Sequence, residues 1–301
     1  MSTTSRRSFL LQSASATAIA AGALTSGWAA EPVARSHGHK FKFSLAAYSY
    51  RELLSGKNAS LKLSDFVDDC AKFGLEGTEL TSYYFPADIT TEYLVGLKAQ
   101  CFRLGLDVSG TAVGNDFGVA DPEKLKKQLE TMKLWIDRAH ILGAPTIRVF
   151  AGVVPAGEDP AAVHKRMVAA LEESAEYAGK FGIYLGLENH GGPTATPEGL
   201  LALVRDVKSP WLGVNLDSGN FHGEDVYSEL EQIAKYAVNA QVKVVVSPKG
   251  KGKQASDYKR LAKILRDAGY RGYVVLEFEE KGDPRTECPK HLHELREAFA
   301  E

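Results

Sequence analysis

From residue 41 onward, short apolar runs rich in β-branched and aromatic residues alternate with longer segments whose apolar residues recur every three or four positions. The short runs are FKFSLAAYSY (41–50), GTELTSYYF (77–85), LDVSGTAV (106–113), PTIRVFAG (145–152), IYLGLENH (183–190), WLGVNLDSGN (211–220), NAQVKVVV (239–246) and GYVVLEFE (272–279). Near-continuous apolar runs of this length are expected of strands buried on both faces, as in a parallel sheet. Between them lie SLKLSDFVDDCAKFG, EKLKKQLETMKLWIDRAHILG, AAVHKRMVAALEESAEYAGKFG and SDYKRLAKILRDAG. In the second of these, Leu125, Leu129, Met132, Trp135 and Ile136 share one helical face. The punctuation agrees. Gly74, Gly105, Gly182 and Gly269 each stand between a helical segment and a strand, where a left-handed cap turns the chain back. Asp121-Pro122 and Thr196-Pro197 supply a capping side chain and a first-turn proline. Eight strand–helix units without a composition break predict one α/β domain over 41–301, a (β/α)8 barrel. An open doubly wound sheet would want a Gly-rich phosphate loop after an early strand, and neither GxGxxG nor GxxxxGK[ST] occurs.

The first thirty residues follow another pattern. SRRSFLLQSASATAIAAGALTSGWAA opens with Arg6-Arg7 before Phe9-Leu10 and continues into a short, Ala-rich, weakly apolar run. It resembles a bacterial twin-arginine export signal, a route that carries folded proteins and often cofactor-loaded ones. Residues 1–30 are therefore expected to be removed near Gly27–Ala30, leaving a polar linker (31–40) and a periplasmic or otherwise exported enzyme. The run is too short and too polar for a stable membrane span, which needs about 20 apolar residues.

Charge and cysteine content narrow the partners. The chain has 36 Lys and Arg against 38 Asp and Glu; losing Arg6 and Arg7 leaves 34 against 38, a net −4. No basic block points to nucleic acid. Cys70, Cys101 and Cys288 are too few and scattered for a disulfide framework or zinc knuckle; Cys70 and Cys101 are read as core packing, with room for one bridge between them. Oligomeric state leaves no mark in the sequence.

The chemistry lies in residues that do not suit apolar strands. Glu188 ends the fifth run, Asp217 the sixth and Glu277 the eighth, and Gln241 and Lys243 point to one side of the seventh. In a barrel these strand ends share one mouth. Carboxylates gathered in a partly buried pocket need a counter-charge, because each desolvated ion costs several kcal/mol. A divalent cation held by Glu188, Asp217, Gln241 and Glu277 supplies it. Oxygen donors suit Mn, Mg or Co better than a sulfur-rich zinc site.

The motifs GLEN, NLDSGN, QVKV and VVLEFE, in that order, resemble the xylose-isomerase-like TIM-barrel superfamily, the sugar phosphate isomerase/epimerase group, over about residues 41–300. That resemblance implies one divalent metal held by Glu, Asp, His and Glu, here Glu188, Asp217, the Gln241 position and Glu277. Two departures stand out. Gln241-Val242-Lys243 replaces His-x-Lys, and Asp217-Ser218-Gly219-Asn220 replaces Asp-x-Gly-His, with His222 displaced by two. The missing histidines argue against the His-rich zinc site of the DNA-repair relative endonuclease IV.

The resemblance further implies a free sugar or sugar derivative as substrate, with proton transfer next to a carbonyl through a metal-stabilised enediolate. Glu188 and Glu277 are then the acid–base pair and His190 a relay or substrate contact. Arg148, Lys243, His222, Glu79 and Tyr48 would touch substrate, with Tyr83 and Phe150 as ring-facing walls. Two alternatives remain open at this stage. One is a lyase eliminating from 3-keto-glycosides or inososes; the other is a non-catalytic sugar-binding barrel.

Overall fold

The computed structural model describes residues 31–56 and 59–300, so the twin-arginine segment lies outside the described residues. Eight parallel strands close into a barrel: β1 (Lys40–Ala46), β2 (Gly77–Thr81), β3 (Asp107–Ala112), β4 (Thr146–Val149), β5 (Tyr184–Glu188), β6 (Leu212–Asp217), β7 (Ala237–Lys243) and β8 (Arg271–Glu277). They neighbour one another in chain order, and β8 returns to pair with β1 through Leu45 and Leu276. Each strand is followed by a helix: α1 (Leu63–Lys72), α2 (Thr91–Arg103), α3 (Pro122–Leu142), α4 (Pro160–Gly179), α5 (Pro197–Asp206), α6 (Val226–Ile233), α7 (Tyr258–Asp267) and α8 (Pro284–Ala300). The predicted (β/α)8 barrel is the observed fold.

The expected caps form. Asp121 accepts from the Glu123 and Lys124 amides at the start of α3, and Thr196 accepts from the Gly199 amide at the start of α5. Gly182 and Gly269 take φ of 70° and 66° where the chain leaves a helix for a strand, a conformation that costs a side chain with a Cβ about 1 kcal/mol or more.

Two runs end earlier than their composition suggests. After Ala46 the first turns into a 3-10 turn, Ala47–Tyr50, because Tyr50 packs into the helix layer 5.0 Å from the Phe66 ring. The seventh leaves the barrel after Lys243, and Val245–Val246 pairs antiparallel with Gln254–Ala255.

Alternation along the strands divides the molecule into two interiors. Ile147 and Val149, Leu185 and Leu187, Val214 and Leu216, Ala240 and Val242, Val274 and Leu276 face outward into the apolar layer beneath the helices. Their neighbours face inward and are largely polar: Arg148, Glu188, Asn215, Asp217, Asn239, Gln241 and Glu277, all buried. The apolar layer holds the fold together, at roughly 25 cal/mol per Å² removed from water. The three cysteines belong to this buried, unreactive set and are free, so the Cys70–Cys101 bridge is not made.

Candidate active site

At the C-terminal ends of β4 to β8 the inward positions bring acidic and basic side chains together. Arg148 from β4 and Glu188 from β5 form an ion pair at 2.9 Å between groups that are 6% and 4% exposed. The Arg148 Nη1 also donates to the Val113 carbonyl and the Tyr83 hydroxyl. The second Glu188 oxygen accepts from Asn220 Nδ2 at 2.8 Å. Lys243 from β7 places its Nζ 3.6 Å from Asp217, 3.3 Å from Glu277 and 2.6 Å from Glu279. Its position follows from register: Lys243 stands across from Glu277, and Gln241 across from Asp217.

The carboxyls are strained electrostatically. Burial pushes Glu188 and Asp217 up to about 7, against the lowering pull of Arg148 and Lys243 respectively. Burial likewise raises Glu277. Burial pulls Lys243 down, yet Asp217, Glu277 and Glu279 hold it well above the usual lysine range. Among the described residues, Glu188, Asp217, Glu277 and Glu279 pair with Arg148 and Lys243 alone, so negative charge is in surplus if all ionise. Asp217 Oδ2 is enclosed and accepts no hydrogen bond. The Lys243 ammonium faces this same oxygen from 3.6 Å, an ion pair that falls short of a hydrogen bond.

Among the described residues, no three His, Cys, Asp or Glu side chains converge tightly enough to hold one ion as they stand. Glu188 is turned toward Arg148 and Asn220, while Asp217 and Glu277 are turned toward Lys243. In chemistry the set still suits a hard divalent cation: oxygen donors, surplus negative charge and an Asp217 oxygen that accepts no hydrogen bond.

Three of the expected residues are engaged elsewhere than in the acid cluster. Gln241 is not free in the pocket: its Oε1 accepts from Asn215 at 2.7 Å and its Nε2 donates to Glu79 at 2.7 Å. One carbonyl lone pair remains, so any ligation by Gln241 would start from this clamped amide. Glu79, expected to touch substrate, is 1% exposed, its carboxylate accepts from Gln241 and Asn239, and burial raises it to about 7. Asn239 also donates to Asn215, closing a polar network beneath the mouth. His222 stands exposed on the rim with its Nδ1 3.1 Å from the Ser247 carbonyl, away from the acid cluster's hydrogen bonds.

The other expected residues frame the mouth. His190 packs at a tilt against Phe150, ring centres 4.4 Å apart, and the Arg148 guanidinium covers the same ring at 4.2 Å. Desolvation and the nearby charge of Arg148 and Lys243 lower the His190 pKa, favouring the neutral imidazole. Beside them a cavity of about 220 Å³ is lined by Asn115, Asp116, Phe150, His190 and Thr194 among others. Tyr48 packs edge-on against Tyr83 at 6.5 Å under the Arg51 guanidinium, and its pKa is raised by desolvation and by Glu279 and Glu277.

Sequence reasoning passed over Glu279, Asn220 and Asn189. Glu279 follows Glu277 by two in VVLEFE, so period two already placed it on the same side. Asn189, fully buried in GLEN, exchanges both hydrogen bonds with the Asp217 backbone and so fixes the end of β6.

Comparison with known proteins adds the following. The profile of the family described as "Xylose isomerase-like TIM barrel" matches residues 67–298. A Homo sapiens protein named "Putative hydroxypyruvate isomerase" is 29% identical over 163 residues, 48% of this chain and 57% of that protein. Its Mus musculus counterpart is 30% identical over 166 residues with the same coverage. The matched region thus spans just over half the length of these curated relatives. Among solved structures, an L-ribulose 3-epimerase superposes with a TM-score of 0.72 at 17% identity, covering 87% of this chain and 95% of that one. A D-psicose 3-epimerase from Clostridium cellulolyticum H10, solved with D-tagatose, gives 0.71 at 16% identity, covering 86% and 99%. At such identities the structural likeness speaks for the fold.

Proposed function

The chain belongs to the xylose isomerase-like TIM barrel family, and from that membership and the acid cluster we propose an exported, divalent-metal-dependent isomerase or epimerase of a small uncharged sugar or sugar derivative. One observation carries the reading most directly. Glu188 and Glu277, on strands separated by β6 and β7, are both buried carboxyls raised toward neutrality. An acid–base catalyst works best when its pKa lies near the operating pH.

In this mechanism one of the two carboxylates removes the proton from the carbon next to the substrate carbonyl, and the other acid returns a proton. Arg148 holds Glu188 in place and favours its ionised form. Lys243, anchored on Glu279, holds Glu277 and offers its ammonium to substrate oxygen. His190 and Phe150 wall the adjoining cavity, whose 220 Å³ is small beside the roughly 300–1,000 Å³ of drug-sized pockets and suits a single sugar unit. Glu188, Asp217, Gln241 and Glu277 are the residues that would hold the cation. When bound, it would polarise the substrate carbonyl and offset charge developing on its oxygen. Because Glu279 remains a partner for Lys243, Asp217 and Glu277 can be given over to a cation without stranding the ammonium.

The test is an assay of free ketoses, hydroxypyruvate, 3-keto-glucosides and inososes with added Mn²⁺ in D₂O, beside elemental analysis of the folded protein. We expect about one metal ion per chain, a product of unchanged mass apart from deuterium at the carbon next to the carbonyl, and loss of both turnover and exchange in Glu277→Gln. A product lighter by water or a leaving group identifies a lyase. A protein that binds sugar but neither metal nor deuterium-exchanging substrate is a binding barrel.

A further inference from the structure

At the opposite end of the barrel, where the strands begin, a larger cavity of about 470 Å³ opens. Its mouth is crossed by residues 31–39, the segment expected to be a linker. The Val33 amide donates to the Lys235 carbonyl at 3.0 Å, and Arg35 Nη2 donates to the Ala237 carbonyl at 2.6 Å. Arg271 Nη1 donates to the carbonyls of His37 and Gly38, each at 3.1 Å. This strap carries the Arg35 guanidinium inward over the Tyr270 ring, 5.1 Å from its centre.

The cavity is short of negative charge. Arg35, Lys40, Lys42 and Arg271 all line it. Among the described residues only Lys42 has a carboxylate partner, Asp107 at 2.9 Å. Arg35 Nη1 is enclosed and has no hydrogen-bond partner there. A buried guanidinium N–H without an acceptor is costly, and burial lowers the Arg35 pKa with no carboxylate to offset it. Tyr184 and Tyr273 add flat walls beside these cations.

The geometry points to a second ligand site at this N-terminal mouth, for a small molecule bearing an oxyanion group, phosphate or carboxylate, on a compact uncharged body. Arg35, Lys40 and Arg271 take the head group, bidentate hydrogen bonding being what guanidinium offers to either oxyanion, and the tyrosines take the body. The site is separate from the proposed reaction and does not depend on it.

Calorimetric titration of the full chain at low salt tests this with four probes: phenyl phosphate, benzoate, inorganic phosphate and phenol. Phenyl phosphate or benzoate should bind at least tenfold more tightly than inorganic phosphate, and phenol should give no measurable heat; the better of the two organic anions identifies the head group. Arg35→Met and Arg271→Met should each weaken binding about tenfold or more, and added salt should weaken it too. Glu277→Gln, at the other mouth, should leave it unchanged. Should Arg35→Met fail to fold, Lys40→Met and Arg271→Met, both at exposed positions, carry the same comparison. The proposal is overturned if neither organic anion binds, if phenol binds as well as they do, or if affinity is the same in the wild type and the Arg271 and Lys40 variants.

Discussion

The two mouths of the barrel are built from the same eight strands and carry opposite charge. At the C-terminal mouth Glu188, Asp217, Glu277 and Glu279 surround Arg148 and Lys243, and each cation is paired. At the N-terminal mouth, among the described residues, the cations Arg35, Lys40, Lys42 and Arg271 have one carboxylate partner, Asp107 against Lys42. The difference lies in burial as much as in sign. Glu188, Asp217 and Glu277 are buried and pushed toward neutrality, whereas Asp107 is 61% exposed at its side chain and its pKa is lowered by Tyr273 and then Lys42. Buried charge that the fold does not fully satisfy is stored demand for a ligand, and the barrel keeps such demand of each sign at a different end.

The comparison breaks most sharply at Glu277. Glu277→Gln keeps the size of the side chain and removes one ionisable group from the acid cluster. Turnover should fall at least about a thousandfold, the range attributable to a general acid–base group, while thermal stability holds or rises. A variant with more than a tenth of wild-type kcat would remove Glu277 from the reaction.

Glu79 tests whether the upper mouth depends on the network beneath it. Glu79→Gln gives the Gln241 amide a neighbour that can donate as well as accept, loosening the orientation in which Nε2 faces Glu79. Outer partners of a metal ligand typically govern about 10–100-fold in affinity. Mn²⁺ binding measured by calorimetry should weaken by about that factor, with substrate KM changed less than kcat. Unaltered Mn²⁺ affinity would mean that Gln241 takes no part in holding a cation.

Much of the upper mouth was legible because strands have period two. Glu188, Asp217, Lys243 and Glu277 interrupt apolar runs at the ends of strands, and the structure gathers them at one rim. What the sequence could not show was which partners they choose. Glu79 and Gln241 lie on β2 and β7, 162 positions apart, and their bond depends on side chains meeting across the barrel interior. The lower cavity escaped for a different reason. Its cations sit at strand starts and in a polar segment, where charged residues are ordinary, and only the strap's hydrogen bonds bring Arg35 in. The early ends of the first and seventh strands were hidden because Tyr50 and Val246 are as apolar in the helix and loop layer as they would be in a strand.

Acidity should separate the mouths by stability. Glu79, Glu188 and Asp217 rise to about 7 from 4.5, 4.5 and 3.8, and Glu277 shifts the same way. The folded state therefore holds these protons over a window in which the unfolded chain has released them. Stability should fall as pH rises from about 4.5 to about 7 and level off above. His190, whose pKa is lowered, acts with the opposite sign, as one group against four. By scanning calorimetry without metal, Tm should be on the order of 5 °C lower at pH 7.5 than at pH 5, taking about 2–4 °C per kcal/mol at this size. Added Mn²⁺ should raise Tm more at pH 7.5 than at pH 5, since protonated carboxyls bind cations poorly. A Tm rising steadily from pH 5 to 7.5 without metal would show that these acids are not buried as described.

The smallest effect belongs to the lower mouth. Asp107 accepts from Lys42 and from the Tyr273 hydroxyl, and its lowered pKa means its contribution is present above the unfolded value near 4 and lost as pH falls through the folded one. Because the pair is exposed, solvent screens it, and such pairs are worth about 0.2–1 kcal/mol. Asp107→Asn should cost no more than that in urea unfolding, with salt shrinking the loss and turnover unchanged. It also removes the carboxylate partner of Lys42, so phenyl phosphate should bind more tightly at that mouth. Loss of several kcal/mol would instead make Asp107 a structural anchor between β1, β3 and β8. Anion affinity that stays flat would show that the charge of the lower mouth does not reach into its cavity.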